Sequence, residues 1–254
     1  MDPARLFRLD GRVAVVTGAS GGLGGRFARV LAGAGAQVVG AARRVERLEA
    51  LAGDLDGRFA PCPCDVSEDR DLQRLVDFTL ERFGRVDVLV NNAGVGRSHP
   101  AEHEPPEHFR HVVEINLNAV FVLTQLAGRA MLAQGSGSVI NIASMFGLVA
   151  SAPVKQASYT ASKGAVVNLT RELGAQWMRK GVRVNALAPG FFPSEMTAEL
   201  LDDARSVEWL QRNAPAGRPG LEHELDGALL FLAGDASSYV TGQTIAVDGG
   251  WTAR

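Results

Sequence analysis

A short apolar run, 12–17, flows straight into Gly18-Ala19-Ser20-Gly21-Gly22-Leu23-Gly24-Gly25, and an apolar-periodic segment over 26–34 follows before Gly35. Valine-rich residues ending in threonine read as a buried strand, and the periodic segment reads as a helix closed by glycine. Glycines 18, 22 and 24 then form the turn between them. Glycine accepts positive φ and lets a ligand approach the backbone. The helix start adds unpaired N–H groups and a partial positive charge. Strand, glycine turn and helix together form a seat for a pyrophosphate. The spacing is Gly-x-x-x-Gly-x-Gly, and no Lys-Ser/Thr pair follows as a P-loop requires.

That unit belongs to a longer alternation. Further strand-like runs lie at 37–42, 59–62, 86–90, 138–142, 182–187 and 244–247, with helical patterns between them, most clearly over 72–83, 106–132 and 157–178. Strands alternating with helices build βαβ units and a parallel sheet. The strands are continuous apolar runs, the pattern of strands buried on both faces. The expected fold is α/β, a doubly wound parallel sheet with helices on both faces. No linker, charge block or repeat divides the chain, so residues 1–254 are expected to form one domain.

Composition narrows the function classes. Hydrophobic residues are 46% and charged residues 21%, enough for a sizeable core. A formal net charge of -2 gives no reason to expect nucleic acid or an anionic membrane surface as a partner. No uninterrupted apolar run has the roughly 20 residues a bilayer demands. Residues 1–10 lack the apolar core of a signal peptide, so the expected location is the cytoplasm. Cys62 and Cys64 flank Pro63, too close for an easy disulfide and lacking the Cys-x-x-Cys spacing of a zinc or redox site.

The end of the second strand faces the adenosine ribose in such sheets. An acid there binds the 2′-hydroxyl of NAD, and arginine suits a 2′-phosphate. This strand ends in Gly40-Ala41-Ala42 and continues with Arg43-Arg44, so NADP(H) is expected in preference to NAD(H). Farther along, Tyr159 and Lys163 stand four apart in a helical segment, on one face. A free phenol has a pKa of about 10, and a neighbouring ammonium favours its ionised form, which would suit Tyr159 to proton transfer. Ser144, just past the fifth strand, would project into the crevice at the strand ends.

These residues resemble the short-chain dehydrogenase/reductase family over nearly the whole chain. Thr17-Gly18-x-x-x-Gly22-x-Gly24 is similar to its cofactor turn, Asp65-Val66 to its adenine-binding pair, and Asn91-Asn92-Ala93-Gly94 to its post-strand motif. Asn116, Ser144, Tyr159 and Lys163 match its catalytic tetrad. Pro189-Gly190 and Val247-Asp248-Gly249-Gly250 complete the series. Any one motif is common; with Asn116 counted apart from Ser144, Tyr159 and Lys163, seven in order are specific.

The resemblance implies a Rossmann-type fold and hydride transfer between NADP(H) and a carbonyl or alcohol carbon. It implies cofactor contacts from Gly18, Ser20, Gly22, Leu23, Gly24, Arg43, Asp65, Val66, Asn92, Gly94, Tyr159, Lys163, Pro189 and Gly190. Phe192 and Ser194, in the loop after the sixth strand, would meet the carboxamide. In the same terms, Tyr159 is the general acid/base, Ser144 holds the substrate oxygen, Lys163 supports the phenolate and the ribose, and Asn116 holds a water linking Lys163 to solvent. The chain departs from NADP-preferring members at Gly21, where they carry Lys or Arg, leaving Arg43 as the main phosphate contact.

A lid over about 191–216, with Phe191, Leu200, Leu201, Trp209 and Leu210, and Phe146 as a further wall, suggests a small, mostly apolar ketone or secondary alcohol. A 3-oxoacyl thioester reductase is the alternative within enzymes, and a non-catalytic NADP(H)-binding regulator or a scaffold the alternatives outside them. Family resemblance also implies a homotetramer. His99, His103, His108 and His111 cluster in sequence, but in an acidic, proline-rich stretch that reads as a surface loop leading into a helix, so no metal is expected.

Overall fold

The computed structural model describes residues 2–253; Met1 and Arg254, the ends of the expected domain, lie outside the described residues. Among the described residues seven strands form one sheet: β1 Val13–Thr17, β2 Gln37–Ala42, β3 Phe59–Pro63, β4 Val88–Asn91, β5 Gly137–Ile142, β6 Val182–Pro189 and β7 Thr244–Val247. Their spatial order is β3-β2-β1-β4-β5-β6-β7, and every neighbouring pair is parallel. β1 lies between β2 and β4, with Val15 opposite Val39 on one side and Leu89 on the other. The chain winds away from β1 in both directions, which is the Rossmann-type, doubly wound arrangement.

Successive side chains on a strand point to opposite faces, so each strand feeds two cores. Ala14, Val16, Val38, Val88 and Val90 face a layer containing Phe27 and Leu31 of α1 (Gly22–Gly33), Leu48 of α2 (Val45–Gly53) and Leu229 of α9 (Asp226–Ala233). Val15, Val39, Leu89, Val139 and Val184 face a layer with Leu72 and Leu75 of α3 (Asp69–Phe83), Leu123 and Met131 of α5 (Ala119–Gln134) and Leu173 of α6 (Ala157–Trp177). Between the sheet's end and α8 (Ala204–Asn213) lies a smaller aromatic cluster, and α7 (Ala198–Asp202) packs on α8.

Two helices depart from expectation. α1 begins at Gly22, not near Arg26. Glycine is a poor helix former, but here the glycine turn is itself the helix's first turn, held by packing on β1. The stretch expected as one helix over 106–132 comprises α4 (Pro106–Val113), a π-helical turn Glu114–Asn118, and α5. Pro106–Gln134 is long and apolar enough to cross a bilayer by length and composition, but half of its most apolar window is buried, and α5 packs on α3, β4 and β5.

A buried polar chain ties the sheet to these helices. Asn91 Nδ2 donates to Thr124 Oγ1 and to Asn141 Oδ1, both at 2.8 Å, and Asn141 Nδ2 donates to Thr170 Oγ1 at 2.9 Å. Without Asn141 one Asn91 N–H would lose its acceptor, while Thr170 Oγ1 would keep its bond to Val166 O, and a buried unpaired polar group costs about 1–3 kcal/mol. Asn141→Ala is expected to destabilise the fold by about that much, read as a lower urea midpoint with an unchanged slope.

Candidate active site

The carboxyl ends of the parallel strands open into a cleft of about 480 Å³. Every residue expected to contact cofactor lines it, from Gly18, Ser20, Gly22, Leu23 and Gly24 on one wall, through Arg43, Asp65, Val66, Asn92 and Gly94, to Pro189, Gly190, Phe192 and Ser194 on the other. Packing at Gly24 explains the glycine turn. A Cβ there would lie 2.2 Å from Gly18 O and 2.5 Å from Asn92 Nδ2, so any side chain would push α1 off β1. Asn92 Nδ2 itself donates to Thr17 O at 2.8 Å, and Thr17 Oγ1 accepts from the backbone N–H groups of Asn92 and Ala93. The ends of β1 and β4 are thereby locked at the reversal of strand order.

Asp65 Oδ1 accepts from Ser67 N and Oγ, and its Oδ2 faces Arg43 Nη1 at 3.8 Å. The Ser67 hydroxyl, aided by Arg43, keeps this carboxyl below its ordinary pKa. The two arginines after β2 diverge. Arg43 reaches toward Asp65 and is largely exposed, whereas Arg44 turns onto the glycine turn, donating through Nε and Nη2 to Ser20 Oγ at 3.2 and 3.0 Å.

Ser144, Tyr159 and Lys163 meet at the other end of the cleft. Ser144 follows β5 in extended backbone and caps a 3₁₀ turn, its Oγ accepting from Phe146 N at 3.1 Å. α6 carries Tyr159 and Lys163 on one face. Lys163 Nζ donates to Ile142 O at 2.7 Å, pinning α6 to the last residue of β5. The expected lowering of the phenol's pKa by this ammonium is not what the structure shows. Lys163 Nζ lies 5.8 Å from the Tyr159 ring centroid and is committed to the Ile142 carbonyl. Burial raises the phenol's pKa, and its hydrogen bond with Ser144 works in the opposite direction. Burial also brings Lys163 down to about 8.

Asn116 sits at the π-helical turn, fully buried behind the cleft. Its amide clamps Val95, accepting from Val95 N and donating to Val95 O, both at 2.8 Å, and reaches Ser162 Oγ at 3.1 Å. The side chain therefore holds the loop that runs past Tyr159 and does not itself line the cleft. A π-bulge is a frequent device for inserting one residue at a functional site.

A family model described as enoyl-(acyl carrier protein) reductase matches residues 18–252. The chain is 40% identical over 252 residues to 2-dehydro-3-deoxy-D-gluconate 5-dehydrogenase of Bacillus subtilis, covering 98% of this chain and 97% of that one. The chain belongs to the short-chain dehydrogenase/reductase family. It is 37% identical over 246 residues to a 3-oxoacyl-[acyl-carrier-protein] reductase of Thermotoga maritima, covering 96% of this chain and 98% of that one. A solved structure of a gluconate 5-dehydrogenase from Burkholderia cenocepacia, in complex with NADP and tartrate, superposes with a TM-score of 0.94 at 41% identity, covering 99% of both chains. As a short-chain dehydrogenase/reductase, the protein is an oxidoreductase of hydroxyl and keto groups that uses a nicotinamide cofactor.

In this short-chain dehydrogenase/reductase several site residues escape sequence reading. Trp251, near the C-terminus, stacks edge-on with Phe146 and Phe191, at 6.3 and 5.4 Å between centroids, and lies 5.4 Å from Trp209. Thr197 Oγ1 donates to Phe192 O at 2.6 Å and meets Ser194 Oγ at 3.0 Å, folding the loop after β6 on itself. Phe192 is buried in the core cluster while bordering the cleft. Glu195 crosses the cleft to Arg44 and Arg47. The only advance signal for these contacts is residue type. Two of the four histidines meet: His108 Nδ1 pairs with Glu104 at 2.9 Å and its ring packs on His99, while His103 and His111 are exposed.

Gly96 is another residue the motifs pass over. A Cβ there would lie 2.8 Å from Tyr159 Cδ2, so the loop presses directly on the phenol ring. Displacing a reacting group by about 1 Å costs on the order of 10²-fold in rate. Gly96→Ala is expected to lower kcat by up to about that factor while leaving cofactor affinity intact, as measured by steady-state kinetics beside fluorescence titration.

Proposed function

We propose that the protein is an NADP(H)-dependent reductase of small, mostly apolar ketones, or a dehydrogenase of the corresponding secondary alcohols, with Tyr159 as general acid/base. The observation that carries this reading is that Ser144, Tyr159 and Lys163 share one cleft with the glycine turn. The cradle fits the cofactor: the bare Gly24 lets α1 close down on Gly18, and backbone N–H groups at the start of α1 suit a diphosphate. Asp65 and the N–H of Val66 would hold adenine, and Arg43 and Arg44 would flank the ribose 2′-phosphate. Pro189, Gly190 and the loop through Ser194 would frame the nicotinamide. When bound, the nicotinamide supplies or accepts the hydride.

The chain's own groups govern the oxygen and the proton. Ser144 Oγ, which favours ionisation of the phenol, would orient the substrate oxygen beside Tyr159. In reduction the phenol donates its proton to that oxygen; in oxidation the phenolate removes it. Lys163 holds a positive charge beside the phenolate as it develops. Asn116 acts indirectly, through the Val95 loop. Phe146, Phe191, Trp209 and Trp251 do not line the cleft themselves but form an apolar cluster with Tyr159 packed against it, and such surroundings would favour an apolar ketone. A second reading, a hydroxylated keto acid, is favoured by the gluconate-type relatives. The homotetramer and the lid role of 191–216 belong to this proposal as well.

A panel of alkyl and aryl ketones and keto sugar acids, followed by NADPH consumption and repeated with NADH, tests the reading. Turnover of apolar ketones with NADPH, and loss of about 10²- to 10⁴-fold in Tyr159→Phe, is the expected result. Turnover of keto sugar acids alone would replace the substrate class, and full activity in Tyr159→Phe would remove the proposed acid.

The buried lysine predicts a pH profile. Below about 8 Lys163 is an ammonium, and above it the positive charge at the reacting end is lost. The phenol's own raised pKa keeps Tyr159 protonated over the same range. For reduction, kcat/KM should therefore be level at lower pH and fall as pH rises through about 8.

A further inference from the structure

Glu195 stands in the loop between β6 and α7 and spans the cleft to the opposite wall. Both of its oxygens accept from Arg44 Nη1, at 2.9 and 3.0 Å, and Oε1 also accepts from Arg47 Nη1. Arg44 is fixed from behind by Ser20 Oγ. A Cβ on Gly21 would lie 3.4 Å from Glu195 Oε1, 3.6 Å from Arg47 Nη1 and 3.8 Å from Arg44 Nη2. The carboxylate is thus seated at the glycine turn, beside the end of β2, where such sheets hold the adenosine ribose. Its hydrogen bonds to Arg44 and Arg47 keep it ionised below the ordinary carboxylate pKa.

Two facts make this placement informative. The end of β2 lacks the acid that would bind a ribose 2′-hydroxyl, and offers Ala41-Ala42-Arg43-Arg44 instead. A carboxylate reaches the same neighbourhood from 151 residues farther along the chain, on the loop that also carries Ser194. An anion held by two guanidiniums beside a hydroxyl occupies the kind of seat that a phosphate monoester takes.

We infer that Glu195 is a specificity-determining residue, an internal anion that competes with the 2′-phosphate of NADP(H) for Arg44 and Arg47. The inference rests on the cofactor reading above. A dianionic phosphate must displace the carboxylate or bind next to it against like-charge repulsion, and either weakens NADP(H) binding. A 2′-hydroxyl meets no such opposition and gains an acceptor. Glu195 therefore narrows the preference that the arginines create. When the phosphate takes the seat, the loop after β6 loses its tie to the cofactor wall, so the ribose substituent is reported to the segment that covers the substrate.

The test is calorimetric titration of the intact protein with NADPH, NADH, 2′,5′-ADP and 5′-AMP, in wild type, Glu195→Gln and Arg44→Gln, with circular dichroism to confirm folding. Limited proteolysis of the 191–203 loop with and without 2′,5′-ADP gives a second readout. Glu195→Gln should bind NADPH and 2′,5′-ADP about tenfold tighter, near the 1.4 kcal/mol that such a factor represents, with NADH and 5′-AMP unchanged or weaker. In wild type, 2′,5′-ADP should speed loop cleavage, whereas Glu195→Gln should be cleaved quickly without ligand. If wild type prefers NADPH, Arg44→Gln loses that preference and Glu195→Gln leaves the ratio unchanged, the inference on Glu195 is overturned and the cofactor reading stands. If Arg44→Gln does not alter the NADPH-to-NADH ratio, the phosphate seat itself is misplaced and both fall.

Discussion

Everything in this site hangs on the reversal of strand order at β1. Because β2 and β4 lie on opposite sides of β1, the chain leaving β1 and the chain leaving β4 turn to opposite faces of the sheet. The crevice between them cannot be filled by the main chain, and the carboxyl ends of all seven parallel strands lie along the same side of the sheet. Thr17 and Asn92 hold the crevice at its origin through main-chain bonds on both sides. The close contact of Gly24 with Gly18 brings the first helix down onto that point. Anion-binding N–H groups and the reacting side chains consequently share one cleft although they are separated by more than a hundred residues.

At the reacting end, a single buried amine carries two jobs. Lys163 Nζ is hydrogen-bonded to the last carbonyl of β5 and simultaneously sits over the face of Tyr159. The first contact positions α6 against the strand that delivers Ser144. The second leaves a positive charge close to, but not touching, the phenol. Burial works on both partners in opposite senses, raising the phenol and lowering the amine. The two groups, nearly matched in water, are thereby driven apart in proton affinity, so that the amine gives up its proton at a lower pH than the phenol. Ser144 contributes the hydrogen bond that favours ionisation.

The outer wall follows a different logic. Phe146, Phe191, Trp209 and Trp251 come from four separate segments, and all their contacts but the tilted Trp209–Trp251 pair meet edge to face, the arrangement that aromatic quadrupoles prefer. They give the loop after β6 and α8 a packed support on the substrate side. On the cofactor side the same loop is held by the ion pairs of Glu195 with Arg44 and Arg47, which are largely solvent-exposed and so individually weak. One edge of the cover is anchored by buried rings and the other by charges that an incoming anion can contest.

Local pattern made the sheet and the chemistry at its ends legible. Apolar runs of strand length separated by helical periodicity specify parallel βαβ units, and glycines between a strand and a helix specify a phosphate seat, because both depend on near neighbours along the chain. Tyr159 and Lys163 are readable for the same reason: four residues on a helix define one face. The contacts that tune them are not local. Whether the Lys163 amine meets the phenol or the Ile142 carbonyl depends on how α6 docks against β5. The clamp of Asn116 on Val95 depends on a π-helical turn inside a stretch whose periodicity reads as one helix. Trp251 joins Phe146, and Glu195 reaches Arg44, only after the sheet has brought distant segments together. Neighbours along the chain are enough to specify the strands, the glycine turn and the residue types available for proton transfer; which charge faces which partner waits on packing, because desolvation and ion pairing are set by neighbours in space.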